Sequence, residues 1–301
     1  MGYIIIDLEF NNLKNITNYY KDFYEEYGKF DNVNLENEII EIGAVKVDKY
    51  MKPISELKVY VKPTVFPVIN PIVTEITKID NNLLNEQGVS FEEAINKLKD
   101  MFEEGDVLCS WAKDDVVELI INANHYNYND LSWLNEYLDI QEYVTKMLAH
   151  KKALGLKAAL DEFKIKVDET KLHDALNDSI YTVEVFRRVY NSRVIKNYLV
   201  NDIYNMPALH VSNLEDIKID EEKLMLKCPK CGKKVELETP IKLLKWRFAA
   251  VGICPKCNSN VLCEVLVKKT LKGEEAYNEV NSILKNEEYM NYIYKLENSD
   301  E

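Results

Sequence analysis

Ile4-Ile5-Ile6-Asp7-Leu8-Glu9-Phe10 is an apolar run that ends in two carboxylates two residues apart. In a β-strand alternate side chains point to opposite faces, so Asp7 and Glu9 share one face while Leu8 points into the core that the isoleucines bury. Two adjacent carboxylates repel unless a cation lies between them, and hard cations such as Mg²⁺ prefer oxygen ligands. Alone, the triplet serves an edge strand running into an acidic turn equally well. The rest of the chain has to decide.

Working outward, Asn11 to Asn37 is a polar stretch rich in Asn, Tyr, Lys and Glu, with a helix expected within Asn15 to Tyr27. Residues 38–48 begin helix-like and end as an alternating strand through Val47, and Leu57 to Val61 reads as its hairpin partner, closed by Pro63. Pro63 to Pro71 is a proline-punctuated loop, followed by a short helix near residues 74–77. Ser90-Phe-Glu-Glu93 is a capping box that opens a helix toward Phe102, and Val107 to Trp111 is a buried strand. Helices are expected over residues 115–124, 139–148 and 155–163, and from near Asp174 to Tyr190. Strands interleaved with helices on this scale make an α/β fold with a mixed sheet flanked by helices.

The chain has 301 residues, long for one core and suited to two domains. Residues 1–190 are read as one α/β domain, 191–222 as a connector, 223–272 as a cysteine module and 273–301 as a C-terminal helix. With 47% hydrophobic and 30% charged residues and few Gly or Pro, the composition is that of a soluble globular protein. No apolar run approaches the roughly 18 residues that span a bilayer, and no basic segment precedes the interrupted first run. Gly2 is not followed by Ser or Thr at position 6, so no myristoylation is expected. The expectation is a cytoplasmic protein with no membrane contact.

The net charge of −13 is unevenly spread. Residues 223–272 carry 12 Lys and Arg against Glu236, Glu238 and Glu264, a net of +9, which leaves −22 on the remainder. An acidic body needs a basic surface somewhere if it is to handle a polyanion.

Two more acids sit in suggestive surroundings. Asp115 ends Ser110-Trp-Ala-Lys-Asp-Asp115, where a buried strand gives way to a helix, and Asp178 lies five residues past His173 at the front of the last major helix. Strand ends and helix starts on one side of such a sheet are where ligand sites form. Each fragment also has a plain reading: Asp114 or Asp115 as a helix N-cap, His173 as a surface histidine.

Asp-x-Glu, Trp-Ala-x-x-Asp and His-x-x-x-x-Asp, in that order, resemble the DEDDh branch of the DnaQ-like 3′–5′ exonucleases, within the ribonuclease-H-like superfamily. The resemblance spans residues 3–190, with Glu38-Ile-Ile-Glu-Ile-Gly-Ala-Val and Tyr60-Val-Lys-Pro63 matching the family's second and third strands. It implies that Asp7, Glu9, Asp115 and Asp178 ligate two Mg²⁺ or Mn²⁺ ions and that His173 is the general base. By the same resemblance Asp7 bridges the metals, Glu9 and Asp178 complete one site, and Asp115 acts largely through water. Two ions about 3.5–4 Å apart can stabilise both oxygens of a phosphodiester displacement, and a neutral imidazole can deprotonate the attacking water. The implied activity is hydrolysis of single-stranded 3′ ends to nucleoside 5′-monophosphates, with RNA favoured over DNA because the extended Asp-x-Glu-Phe opening resembles the RNA-trimming branch. Phe10, Asn11 and Trp111 are expected contacts to the nucleic acid. Phe10-Asn11 departs from the Thr or small residue common in the family, Ala112 replaces a Gly, and the segment 11–37 is longer than usual. An adaptor with a lapsed site would lack a ligand, and none is missing. A proofreading partner of a polymerase would need a docking element, for which the helix expected over residues 274–296 is the candidate.

Cys228-Pro-Lys-Cys231 and Cys254-Pro-Lys-Cys257, separated by 22 residues, have the spacing of a zinc ribbon holding one structural Zn²⁺. Cys109 and Cys263 lie in apolar stretches and read as buried thiols. Between the knuckles Lys242, Lys245, Trp246, Arg247 and Phe248 mix cations with aromatics, the combination that holds single-stranded nucleic acid. The ribbon or the C-terminal helix is also where a protein partner is expected to dock.

Overall fold

The opening run forms β1 (Tyr3–Asn11), and its neighbours follow from which residues can be buried twice. β2 (Glu38–Val47) is buried along its whole length, so it reads as a nearly continuous apolar run that mimics a helix at its start. β3 (Pro53–Tyr60) is its exposed hairpin partner. β4 (Val107–Ser110), β5 (Tyr137–Asp139) and the short β6 (Leu199–Val200) complete a six-stranded sheet in the order β3-β2-β1-β4-β5-β6. β4 and β5 run parallel to β1; β2, β3 and β6 are antiparallel to their neighbours. This is the mixed α/β sheet expected.

The structure is a computed structural model that describes residues 2–30, 35–211 and 213–298, in two units, Met1–Ile203 and Tyr204–Glu301. In the first, helices α1 (Phe23–Tyr27), α2 (Pro71–Thr77), α3 (Asn81–Gln87), α4 (Phe91–Lys99), α5 (Asp114–His125), α6 (Ile140–Met147), α7 (Leu156–Glu162) and α8 (Ala175–Val189) flank the sheet. Ser90 Oγ accepts from Glu93 N at 3.2 Å, so the expected cap starts α4. Tyr3, Ile5, Val45, Val107 and Cys109 share one core with Tyr143, Leu160, Val183 and Phe186 of α6, α7 and α8. The helix expected within 15–27 is reduced to a turn at Ile16–Asn18 and the five residues of α1, and residues 31–34 lie outside the described part of that stretch.

Residues 191–222 are not a free connector. Ile195 and Ile203 are buried, and Leu199 pairs with Leu138 as part of the first sheet. The first unit therefore runs to Ile203, past the expected end at 190. β7 (Pro207–His210) already belongs to the second unit, pairing with β11 (Asn260–Thr270), and Leu214, Ile217 and Ile219 pack on its core. Around β11 stand β12 (Glu275–Ile283) on one side and β10 (Arg247–Ile253) on the other, with β8 (Glu236–Leu237) and β9 (Lys242–Leu244) pairing onto β10.

The helix expected over 273–301 is corrected in its first half: Glu275–Ile283 is β12, in nine-pair register with β11, and only α9 (Asn286–Glu297) is helical. The turn between β11 and β12 is set by Gly273 at φ 84°, whose N–H bonds Thr270 O at 2.8 Å. Glu275, Asn278, Glu279 and Asn281 give β12 no apolar face of either period, and such a polar edge strand leaves little pattern to read. α9 places Tyr289 and Leu296 on Ala249, Val251 and Leu262, so its apolar face is spent inside the unit. No described helix is long and apolar enough to cross a membrane.

Candidate active site

The alternation that buries Tyr3 and Ile5 puts Asp7 and Glu9 on the same face of β1, further toward its end. α8 covers that face, and its first turn rests on one residue of β2. Gly43 lies opposite Asp7, and a Cβ built on it would sit 2.0 Å from the carbonyl carbon of Ala175 and 2.2 Å from Leu176 N. Ser179 Oγ donates to Gly43 O at 3.2 Å across the same contact. The missing side chain lets the helix start close enough to the strand for Asp178 to join the β1 acids. Gly43→Ala is expected to push the start of α8 outward, to cost about 1–3 kcal/mol of stability, and to lower kcat about 100-fold, because a misplacement near 1 Å costs that much. Thermal unfolding and turnover at saturating metal check this; unchanged turnover would contradict it.

His173 and Asp178 reach the cluster through the cap of α8. Asp174 caps the helix by accepting from Asn177 N at 3.0 Å, and His173 just before it adopts φ 61°. This turn points the His173 main-chain N–H at Asp178 Oδ2, 3.1 Å away. Ligand atoms of Glu9, His173 and Asp178 all lie within 4.8 Å of one another, with the imidazole exposed. Asp115 comes from the first turn of α5; the N-cap there is Lys113, so neither Asp114 nor Asp115 has the capping role the sequence left open.

Burial and mutual repulsion disfavour charge throughout. Asp7 is raised well above the ordinary carboxylate range by desolvation and then by Asp115, Glu9 and Asp178. Glu9 is pushed up to about 8 by desolvation, then Glu41 and Asp178, and Asp115 to about 7, mainly by desolvation. Asp178 is raised too, chiefly by desolvation.

Sequence reading missed Glu41 and Lys58, as it did Gly43. Glu41 stands opposite Glu9 in the β1–β2 register, is almost fully buried, and is raised to about 7 by desolvation that Lys58 partly offsets. Lys58 Nζ lies 3.2 Å from Glu41 Oε1 and also pairs with Asp174. Burial opposes its charge, but Asp174 and Glu41 hold its pKa above the usual lysine range. Lys58 thus ties β2 and β3 to the cap that carries His173. Only the strand register shows it; in sequence Glu41 is one polar residue in an apolar run.

Carboxylates this crowded, with Asp178 Oδ1 buried and lacking a hydrogen-bond partner among the described residues, form an all-oxygen donor set suited to hard divalent cations. In the second unit the four knuckle cysteines also converge. Cys228 Sγ is 3.7 Å from Cys257 Sγ and Cys231 Sγ is 3.4 Å from Cys254 Sγ, close to the roughly 3.8 Å edge of a tetrahedron with 2.3 Å zinc–sulfur bonds. The two knuckles are built alike. Cys228 N donates to Lys233 O and Gly232 N to Cys228 O, while Cys254 N donates to Ser259 O and Asn258 N to Cys254 O. Gly232 (φ 71°) and Asn258 (φ 53°) fill the same left-handed position. Cys257 Sγ lies 3.3 Å from Ser259 Oγ, and that hydroxyl holds the thiol down at about 6.

The family model described as exonuclease (RNase T) matches residues 4–186, more than half of the chain. The chain belongs to this exonuclease family. Two solved structures share the fold of the exonuclease unit. One is the nuclease domain of 3′hExo, a DEDDh family member, bound to rAMP: 16% identity, 62% of this chain and 90% of that one, TM-score 0.51. The other is a 3′-exonuclease solved in 3′-end-specific recognition of histone mRNA stem-loop: 16% identity, 62% and 80% coverage, TM-score 0.50. No curated protein sequence matches.

Three of the expected nucleic-acid contacts of this exonuclease are buried. Asn11 is fully buried; its Nδ2 donates to Val68 O and its Oδ1 accepts from Asn70 N, both at 2.9 Å, stapling the end of β1 to the proline loop. Trp111 is 8% exposed in the α8-side core, and Phe248 is 6% exposed in the core of the second unit. Both stand at a strand's end, Trp111 just past β4 and Phe248 at the second residue of β10. Phe10 is half-buried, Lys242 is partly covered, and Lys245 and Trp246 are exposed at the β9–β10 turn. Arg247 stacks on Trp246 at 4.8 Å and pairs with Glu264.

Proposed function

We propose that this exonuclease removes nucleotides one at a time from single-stranded 3′ ends, RNA in preference to DNA, releasing nucleoside 5′-monophosphates with the help of two divalent cations. The observation that carries the reading is the convergence of Glu9, His173 and Asp178 within 4.8 Å, beside Asp7 and Asp115, from three separate elements of an exonuclease-family fold. Two fold neighbours described with rAMP and with an mRNA stem-loop support RNA as the polymer.

Asp7, Glu9, Asp115 and Asp178 would hold the cations, and Mg²⁺ or Mn²⁺ bound there supplies Lewis-acid stabilisation of the attacking and leaving oxygens. His173, exposed and held by its main-chain N–H on Asp178, would take the proton of the attacking water on a ring nitrogen and give it up to solvent. Lys58 fixes the cap from which the imidazole projects. The four-cysteine cluster would bind one structural Zn²⁺. The exposed Lys245-Trp246 turn beside Lys242 and Arg247 is proposed as a second hold on the strand, stacking a base on the indole.

The test is digestion of 5′-labelled and 3′-labelled RNA and DNA oligonucleotides with Mg²⁺ or Mn²⁺. Wild type should shorten 5′-labelled RNA stepwise and fastest, His173→Ala should lose about 10²–10⁴-fold, and Trp246→Ala should raise KM on long strands only. Endonucleolytic products, or no metal-dependent cleavage of either polymer, would overturn the reading.

A further inference from the structure

Just past the end of β1, described residues among 12–30 and 35–37 wall, with Phe66 of the proline loop, a cavity of about 870 Å³. That volume is within the range of small-ligand sites. Asn12, Lys14, Tyr24, Lys29, Phe30 and Phe66 line it. We infer that this cavity is a nucleotide subsite, taking a base and phosphate of the strand upstream of the scissile bond. The inference rests on the exonuclease reading for which polymer enters, and on the cavity itself for where it sits.

The walls are built by buried polar groups. Glu38 is fully buried and accepts from the main-chain N–H of Thr64, Val65 and Phe66 at 2.6–2.9 Å, which fixes the Phe66 side. Asn70 Nδ2 donates to Asn12 O at 3.1 Å and Lys14 O at 2.9 Å, which fixes the opposite rim. Asn37 Nδ2 donates to Glu118 Oε1 at 2.8 Å, joining the cavity wall to α5, which carries Asp115 one turn earlier. A cavity preformed in this way loses little entropy on filling.

Its lining suits a nucleotide. Phe23 and Phe66 are buried and hold the segment together, whereas Phe30 is half-exposed and Tyr24 is 42% exposed. Phe30 packs edge-on against Phe66 at 5.8 Å and at a tilt against Phe23 at 6.0 Å, and it remains half-exposed. Lys14 and Lys29 are exposed cations with no ion pair among the described residues, opposed by Glu36 alone in the lining. Tyr19, Tyr20 and Tyr27 extend the aromatic surface outside, each more than 40% exposed. Aromatic faces with paired cations and a few amides recognise stacked bases and phosphate without demanding a sequence.

The experiment is fluorescence anisotropy of a labelled ten-nucleotide RNA titrated with the full-length protein in Ca²⁺. Phe30→Ala should weaken Kd about tenfold, the order lost with one stacked base, and Lys29→Glu, which leaves the packing alone, should do the same with an unchanged melting temperature. Wild type that fails to bind, or wild-type binding with neither variant weaker, overturns the subsite. Asp7-dependent release of nitrophenol from the p-nitrophenyl ester of a nucleoside 5′-monophosphate by wild type tests the exonuclease reading separately, since that substrate has no upstream nucleotide.

Discussion

Asp7→Asn should cut turnover about 10³-fold and at the same time stabilise the metal-free protein. Asp7 is the most crowded of the acids, raised by desolvation and by Asp115, Glu9, Asp178 and Glu41 together. For carboxyls with raised folded pKa values the sign is fixed. Their contribution is fully present below the unfolded values near 4 and is lost as pH rises through the folded values, about 7 for Asp115 and Glu41 and about 8 for Glu9. Metal-free wild type should therefore lose stability from pH 5 to pH 8. Mg²⁺ or Mn²⁺ should restore more of it at pH 8, where the ligands cost less to deprotonate. Asp7→Asn removes the carboxyl that burial and its neighbours most disfavour ionising, so the variant should melt several degrees above wild type in EDTA at pH 8. Its response to metal should shrink, and kcat should fall about 10³-fold, the order lost with one preorganised charge-stabilising group. Melting curves across pH, with EDTA and with metal, together with single-turnover rates, check both halves. A variant that loses stability in EDTA would show that Asp7 is a structural acid.

The opposing signs bear on why the cluster was readable at all. Asp7, Glu9, Asp115, His173 and Asp178 each stand where an apolar element starts or stops, and a polar residue at such a boundary is visible in sequence. What local pattern could not carry were groups defined by a neighbour across the sheet. Glu41 matters because it faces Glu9, Lys58 because it reaches both Glu41 and Asp174, and Gly43 because α8 rests on it. The burial of Asn11, Trp111 and Phe248 was not legible for the same reason: what covers them comes from distant residues. β12 was misread because the β11 edge it satisfies lies in another part of the sequence, while its own residues favour neither period.

Stripping the cysteine cluster should unfold the second unit selectively. Cys228 and Cys254 are buried in the same core as Leu226, Val235, Phe248 and Val261, so the cluster is part of that core. The knuckle turns bring four thiols to 3.4–3.7 Å in pairs, a spacing that only bridging by a metal makes favourable once they ionise. Structural zinc contributes on the order of 10–16 kcal/mol in small domains, more than the whole stability of most units of this size. The protein as purified should carry one zinc by elemental analysis. Cys254→Ser, or a strong chelator at pH 7, should release it and open residues 213–298 to proteolysis while leaving residues 35–203 resistant. Acidification should act in the same direction, because protons compete with the metal for thiolates. Since the proposed Trp246 hold lies on the β9–β10 turn of that unit and the acids on the other, zinc loss should raise KM on long strands while kcat on the p-nitrophenyl nucleotide persists. Equal loss of both activities would instead mean that the exonuclease unit depends on the zinc unit for its own fold.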